Sequence, residues 1–195
     1  MTVQIVFETH SISEDNEHEI ATGWLGGCLS PAGREQARRL GERRRDDGID
    51  VVIASDLNRA VETAQIAFEG STIPVRVDWR LRECDYGELN GMPRSQLEHE
   101  RASRIDSPFP GGESWREAVE RVTGFLREID ETRGGQRVLL IGHVATRWAI
   151  DHYVRGVPLE TLVASPFEWQ EGWEYLLTSD AGVTEAGDGM SRAVP

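Results

Sequence analysis

Lysine is missing altogether: all 21 basic residues are arginine, and against 34 acidic ones they leave this 195-residue chain with a net charge of −13. A field of that sign repels the phosphate backbones that basic surfaces hold, so nucleic acid is not an expected partner. Cysteine is almost absent. Cys28 and Cys84 are too few and too far apart for a disulfide framework or a CxxC site, which fits a reducing compartment. No window approaches the roughly eighteen consecutive apolar residues of a membrane span, and no basic, apolar, small-residue leader opens the chain. No membrane partner is expected, and the expected location is cytoplasmic. Apolar residues make up 38% and charged residues 28% of the chain, the proportions of a globular domain long enough for one sizeable core and short for two. One domain is expected over residues 1–179, with the small, polar, glycine-containing stretch 180–195 as a flexible tail.

What the chain does contain is an alternation of short apolar runs and amphipathic stretches. Val3–Phe7, Asp50–Ala54, Val75–Val77 and Arg137–Gly142 read as strands, and Trp169–Thr178 as a closing edge strand. Between them, Ser30-Pro31 opens a helix expected to reach about Asp47 and stop at Gly48, and Ser55-Asp56 is expected to cap a second helix. Ser114 and Glu117 form a capping box for a third, whose apolar stripe from Trp115 to Ile129 reads as core. A fourth is expected over Ala145–Tyr153, and Met92–Arg104 is expected to be partly helical. This order of elements predicts an α/β fold, a three-layer α/β/α sandwich with a mostly parallel central sheet. The arginines of the first helix, interleaved with Glu35, Glu42 and Asp46, read as a solvated, salt-bridged face.

Two histidines, His10 and His143, each end a predicted strand; Arg59 falls in the first turn of the helix after another, and Glu83 follows a fourth. Strand ends of a parallel sheet converge on one crevice. A histidine nucleophile, arginine and histidine as oxyanion donors, and a carboxyl as proton donor are the parts of phosphoryl transfer through a phosphohistidine.

In this setting the chain resembles the histidine phosphatase (phosphoglycerate mutase-like) superfamily. The interval from His10 through Ser13 to Asn16, and on to Gly23-Trp24, has that family's spacing. Leu29-Ser30-Pro31-Ala32-Gly33, Ser55-Asp56-Leu57-Asn58-Arg59-Ala60, Leu81-Arg82-Glu83 with Tyr86-Gly87, Pro110-Gly111-Gly112-Glu113-Ser114 and Ile141-Gly142-His143 follow in the family's order over residues 3–178. The resemblance implies His10 as nucleophile, Arg59 and His143 on the transferring oxygens, and Glu83 as the acid and then the base. It also implies a phosphate cradle completed by position 9, Asn16 and the backbone around Thr22 and Gly23. It implies a small phosphorylated substrate and neither metal nor organic cofactor. The interval from Gly87 to Pro110 is short beside the long insertion of the family's mutases, and a more open mouth favours hydrolysis over phosphate retention. Within it Arg94, Arg101 and Arg104 could read an anionic part of the substrate, or could belong to a solvated helix.

The pattern is also broken in places. Thr9 stands where the family has an arginine, Ser11 and Ile12 where it has glycine and glutamate, Val144 where it has glycine, and Glu8 at a strand position that is normally apolar. A lost arginine–phosphate pair removes a contact worth about 1.5–3 kcal/mol. An inward-facing unpaired Glu8 would repel phosphate, unless it paired with an arginine such as Arg59. Three readings follow: an active phosphomonoesterase, a remodelled pocket performing other acid–base chemistry, and a pocket that binds ligand without catalysis. A metal site of His10, Glu14 and His18 would need that loop to be helical, and Ser13 and the spacing to Asn16 favour the family's loop instead. His99 and His152 read as surface or helix residues.

Overall fold

The fold, seen in a computed structural model, is described for residues 2–178, and the expected tail at 180–195 lies outside them. Seven strands and seven α-helices follow one another among the described residues. β1 (Val3–Thr9), β3 (Val51–Ala54), β4 (Val75–Val77), β6 (Arg137–Gly142) and β7 (Trp173–Leu177) form one sheet in the order β4-β3-β6-β1-β7. All neighbours run parallel except β7, which lies antiparallel on the outer edge of β1. β2 (Ile20–Ala21) and β5 (Met92–Pro93) make a separate antiparallel pair.

The middles of the central strands are apolar on both sides because both of their faces are covered. Ile5 and Phe7 of β1, Val138 and Leu140 of β6, and Ile53 of β3 pack into one core with α5 (Trp115–Thr132) and α6 (Val144–Arg155). The alternate residues Val6, Leu139, Ile141 and Val52 enter a second core with α2 (Pro31–Arg44) and α3 (Asn58–Ala67). The three-layer α/β/α sandwich is therefore the one predicted. The short helices α1 (Glu14–Glu17), α4 (Arg94–Glu100) and α7 (Leu159–Ala164) lie in the connections.

Several boundaries differ from the sequence reading. α2 ends at Arg44, before the expected Asp47, and the chain turns through 45–48 to Gly48 at φ 68°. α3 is capped at Leu57 with no side-chain bond, while Ser55 Oγ accepts from the Leu57 N–H (3.3 Å) and Asp56 pairs with Arg82 (2.7 Å). α6 extends the expected Ala145–Tyr153 by one residue at its start and two at its end, and β7 covers Trp173–Leu177, starting four residues after the expected Trp169. The Ser114–Glu117 capping box is present as read.

Glu8 is the residue after Phe7 on β1, so the strand's alternation sends it toward α2, on the same face as Val6. It is buried, and Arg44 Nε donates to its Oε1 at 2.9 Å, with Arg43 at 3.5 Å; its partner is not Arg59. Arg44 thus leaves the expected solvated face of α2, on which Arg38 and Arg39 still pair with Glu35. Gly172, at φ 79°, covers the pair: a Cβ there would lie 2.2 Å from Arg44 and 2.8 Å from Glu8. Removing one partner of a buried pair costs far more than replacing both. Arg44→Met is expected to lose unfolding free energy at the lower end of about 3–5 kcal/mol, because Arg43 remains nearby, and Glu8→Leu added to it should recover most of the loss. Urea denaturation of the single and double variants checks both outcomes.

Candidate active site

The nucleophile candidate is placed by the sheet itself. The His10 N–H donates to the Gly142 carbonyl at 2.9 Å, extending the β1–β6 ladder by one step, so His10 and His143 leave the ends of adjacent parallel strands. Their ring centroids lie 5.0 Å apart. Beyond His10 the chain is fixed by main-chain bonds: Ser11 N–H donates to Thr63 Oγ1 (3.0 Å) and Ile12 N–H to Gln36 Oε1 (3.1 Å). The start of α2 presses on this loop so closely that a Cβ on Gly33 would sit 1.9 Å from the Ile12 carbonyl oxygen.

Arg59 joins the two imidazoles. Its Nε donates to His10 Nε2 at 3.3 Å, and one terminal nitrogen reaches His143 Nδ1 at 3.4 Å. The carbonyls of Gly23 (2.8 Å) and Leu25 (3.2 Å) anchor the guanidinium from behind. On His10 the Nδ1 lies 2.7 Å from the Ser11 carbonyl, which can only accept, so the proton belongs on Nδ1 and the lone pair on Nε2. Burial, and then the charge of Arg59, push the His10 imidazole down to about 3. The same two causes, with His10 itself adding a third, hold His143 well below the usual histidine range. With Nδ1 of His143 accepting from Arg59, the remaining proton sits on Nε2. That nitrogen is buried and has no partner among the described residues, which makes it a donor aligned for an incoming acceptor.

Glu83 is held by main-chain donors. Its Oε1 accepts from Cys84 N–H (2.8 Å) and Ala145 N–H (3.2 Å), and its Oε2 from Val144 N–H (3.3 Å). The last two belong to the first turn of α6, whose N–H groups have no intrahelical partner. Burial raises its carboxyl above the ordinary range, against the pull of those bonds and of Arg59. The Glu83 loop is in turn fixed by Arg121, which pairs with Glu113 (2.7 Å) and donates to the carbonyls of Arg80, Arg82 and Glu83. Nothing in the sequence distinguishes Arg121 from the solvated arginines of α5.

All eight residues expected at the site line one cavity of about 540 Å³: Thr9, His10, Asn16, Thr22, Gly23, Arg59, Glu83 and His143. They do not all present the groups expected of them. Asn16 Oδ1 is taken by the Ser13 N–H in the capping box of α1, leaving its Nδ2 without a partner among the described residues. The Thr22 hydroxyl donates to Asp15 (3.0 Å). Gly23 adopts φ 56°, and a Cβ there would lie 1.8 Å from Asn90 Oδ1. Of the three arginines between Gly87 and Pro110, Arg94 and Arg101 line the cavity, whereas Arg104 pairs with Glu100 (2.7 Å) and stacks over Phe109. Trp115, assigned to the core from its spacing, is buried as expected and also floors the cavity with Trp148. Phe167 and Trp169 form part of the wall and carry no sequence signal of that role. The alternative ligand set of His10, Glu14 and His18 is not assembled: α1 covers only Glu14–Glu17, and His18 Nδ1 bonds the Glu14 carbonyl. Among the described residues no three metal-ligating side chains are grouped to hold an ion, and no helix is long and apolar enough to cross a membrane.

Comparison with known proteins agrees with this geometry. The profile of the histidine phosphatase superfamily (branch 1) matches residues 5–171. The chain is 30% identical to a probable phosphoglycerate mutase GpmB of Salmonella typhi, over 80% of this chain and 76% of that one. Among solved structures, a mycobacterial glucosyl-3-phosphoglycerate phosphatase in complex with VO3 superposes with a TM-score of 0.72 at 26% identity, covering 83% of this chain and 86% of that one. YhfR of Bacillus stearothermophilus shares the fold at a TM-score of 0.79 and 23% identity, over 95% and 97% of the two chains. With its order of motifs matched by sequence and its sheet matched by superposition, the chain belongs to the histidine phosphatase superfamily.

Proposed function

We propose that this protein is a phosphomonoester hydrolase that acts on a small phosphorylated metabolite through a phosphohistidine on His10. The observation that carries the reading is the state of His10: a buried, neutral imidazole with its proton held at Nδ1 by the Ser11 carbonyl and its Nε2 lone pair directed toward Arg59. In the reaction, Nε2 attacks phosphorus and the bond to the ester oxygen breaks. Glu83 gives its proton to that oxygen, releasing the alcohol. Water then attacks the phosphohistidine, its proton passes to Glu83, and the N–P bond breaks to give inorganic phosphate and the starting enzyme. Oε1 of Glu83 already accepts two N–H bonds and Oε2 only one, so Oε2 is the oxygen that carries the mobile proton. The transferring oxygens would replace the two imidazole contacts of Arg59, at 3.3 and 3.4 Å, and take the unpartnered Nε2–H of His143. The N–H groups of Thr22 and Gly23 and the amide of Asn16 would complete the cradle. No step calls for a metal or an organic cofactor. A second reading, binding without turnover, draws on Thr9, which leaves Arg59 as the one cation directly between the two histidines.

Four measurements test the proposal. Rapid quench after mixing with a labile phosphomonoester should trap phosphate on the wild type and none on His10→Ala; hydrolysis no faster than that variant's would exclude turnover. Because burial raises the Glu83 carboxyl, its acid form persists above the usual carboxylate range, and kcat/KM for an alkyl ester should fall as pH rises through that raised value. His10, neutral down to about 3, should add no acid limb above that point. Glu83→Gln should remove the alkaline limb and lower kcat for the alkyl ester by about 10²- to 10⁴-fold, while with the labile ester, whose leaving group needs no acid, phosphohistidine should accumulate. Since Glu8 faces α2, Thr9→Arg should raise kcat/KM by roughly ten- to 150-fold, the value of one charged phosphate contact; a fall in activity would mean that the site is adapted to another ligand.

A further inference from the structure

Away from the two histidines, the cavity changes character. One wall is built of Leu97 on α4, Trp115 on α5, Trp148 on α6, and Phe167 and Trp169 on the segment before β7. Trp115 and Trp148 meet edge to face at 4.8 Å and are almost wholly buried, so this floor is rigid. Trp169 is 56% exposed and stands at the mouth, where a covering ligand would remove it from water. The volume of about 540 Å³ lies within the roughly 300–1,000 Å³ of sites that enclose ligands of drug-like size, and a phosphorylated three-carbon acid would leave most of it to water.

Arg101, four residues after Leu97, lines the same cavity. Arg94 has Glu98 at 3.4 Å and Arg104 has Glu100 at 2.7 Å, but Arg101 makes no ion pair or hydrogen bond among the described residues. In a chain of net charge −13, a cation left without a carboxylate on a cavity wall is an available anion contact. We infer that the substrate's alcohol half is a bulky aromatic or apolar group bearing a second anionic charge, the ring lying against Leu97, Trp148 and Trp169 and the charge meeting Arg101. This rests on the phosphatase reading above and adds the identity of the leaving group to it.

The test uses the intact enzyme and four primary alkyl phosphates of similar leaving-group basicity: glycerol 3-phosphate, 3-phosphoglycerate, naphthylmethyl phosphate and its ring-carboxylated counterpart. Expected kcat/KM is highest for the carboxylated naphthyl ester, about 100-fold above 3-phosphoglycerate and about tenfold above the uncharged naphthyl ester, a tenfold step being about 1.4 kcal/mol. Arg101→Gln should lower the ratio of charged to uncharged naphthyl ester about tenfold, whereas Arg104→Gln, outside the cavity, should leave that ratio within about twofold. Trp169→Ala, at an exposed position where folding is not at stake, should lower the ratio of naphthyl to glycerol ester by about fivefold or more. A preference for the small esters, or ratios unmoved by Arg101→Gln and Trp169→Ala, would overturn this inference while leaving the hydrolase standing. Failure to hydrolyse any of the four, with no phosphohistidine trapped, would overturn both.

Discussion

The site depends on one guanidinium set between two imidazoles. Arg59 is 2% exposed and His143 2% exposed, and a third basic side chain, His10, completes the cluster. Three potential cations cannot all be charged at such distances out of water, and arginine is the one that does not give up its proton. The histidines are therefore neutral, and neutrality is what the role proposed for each requires. A protonated His10 would have no lone pair with which to attack, and a neutral His143 still offers one N–H to an oxyanion. The cluster is held together from outside, by the carbonyls of Gly23 and Leu25 on Arg59 and that of Ser11 on His10. Without a ligand, the bonds across the cluster are its longest, so an entering anion displaces weak contacts and leaves the anchors in place.

Glu83 shows the complementary arrangement. It feels the charge of Arg59, yet it makes no ion pair with it; its oxygens take N–H groups from the start of α6 and from Cys84. A direct pair with arginine would have held it ionised and useless as an acid. Burial pulls the other way, and the helix start gives its position without fixing its charge. Glu8, by contrast, is paired with Arg44 and turned toward α2, so the negative charge nearest to the nucleophile in sequence is neutralised on the far face of the sheet.

The layer order and the meeting of His10, Arg59, Glu83 and His143 were legible in the sequence because each follows a predicted strand, and parallel strands deliver their ends to one edge. Less legible were features that depend on what lies across from a residue. Spacing assigned Trp115 to the core and could not reveal that its other side floors a cavity. Arg44 looked like its neighbours on α2, and only the register of β1 shows that it meets Glu8. Arg121 bonds the carbonyls of Arg80, Arg82 and Glu83, and its position on α5 carries no sign of that. The cap of α3 was misread because Ser55 and Asp56 are both good caps by type, while in the fold Ser55 closes its own turn and Asp56 is held by Arg82.

The departures from the family's motif divide along the same physical line. At Ser11 and Ile12 the fold uses the main chain: the Ser11 N–H and carbonyl bind Thr63 and His10, and the Ile12 N–H and carbonyl bind Gln36 and Ser30. At Val144 it uses the N–H that reaches Glu83. Any residue except proline supplies those groups, so exchanging the side chains there leaves the scaffold of the site intact. Gly33, where a Cβ has no room, is unchanged from the motif, as is Gly142, whose Cβ would come within 2.5 Å of Thr146 Oγ1. Thr9 is different in kind, because an arginine at that position would act through its side chain. Under the proposed mechanism the pocket therefore keeps what positions His10 and Glu83 and lacks one cation of the family motif, which is consistent with the proposed substrate drawing part of its affinity from the aromatic wall.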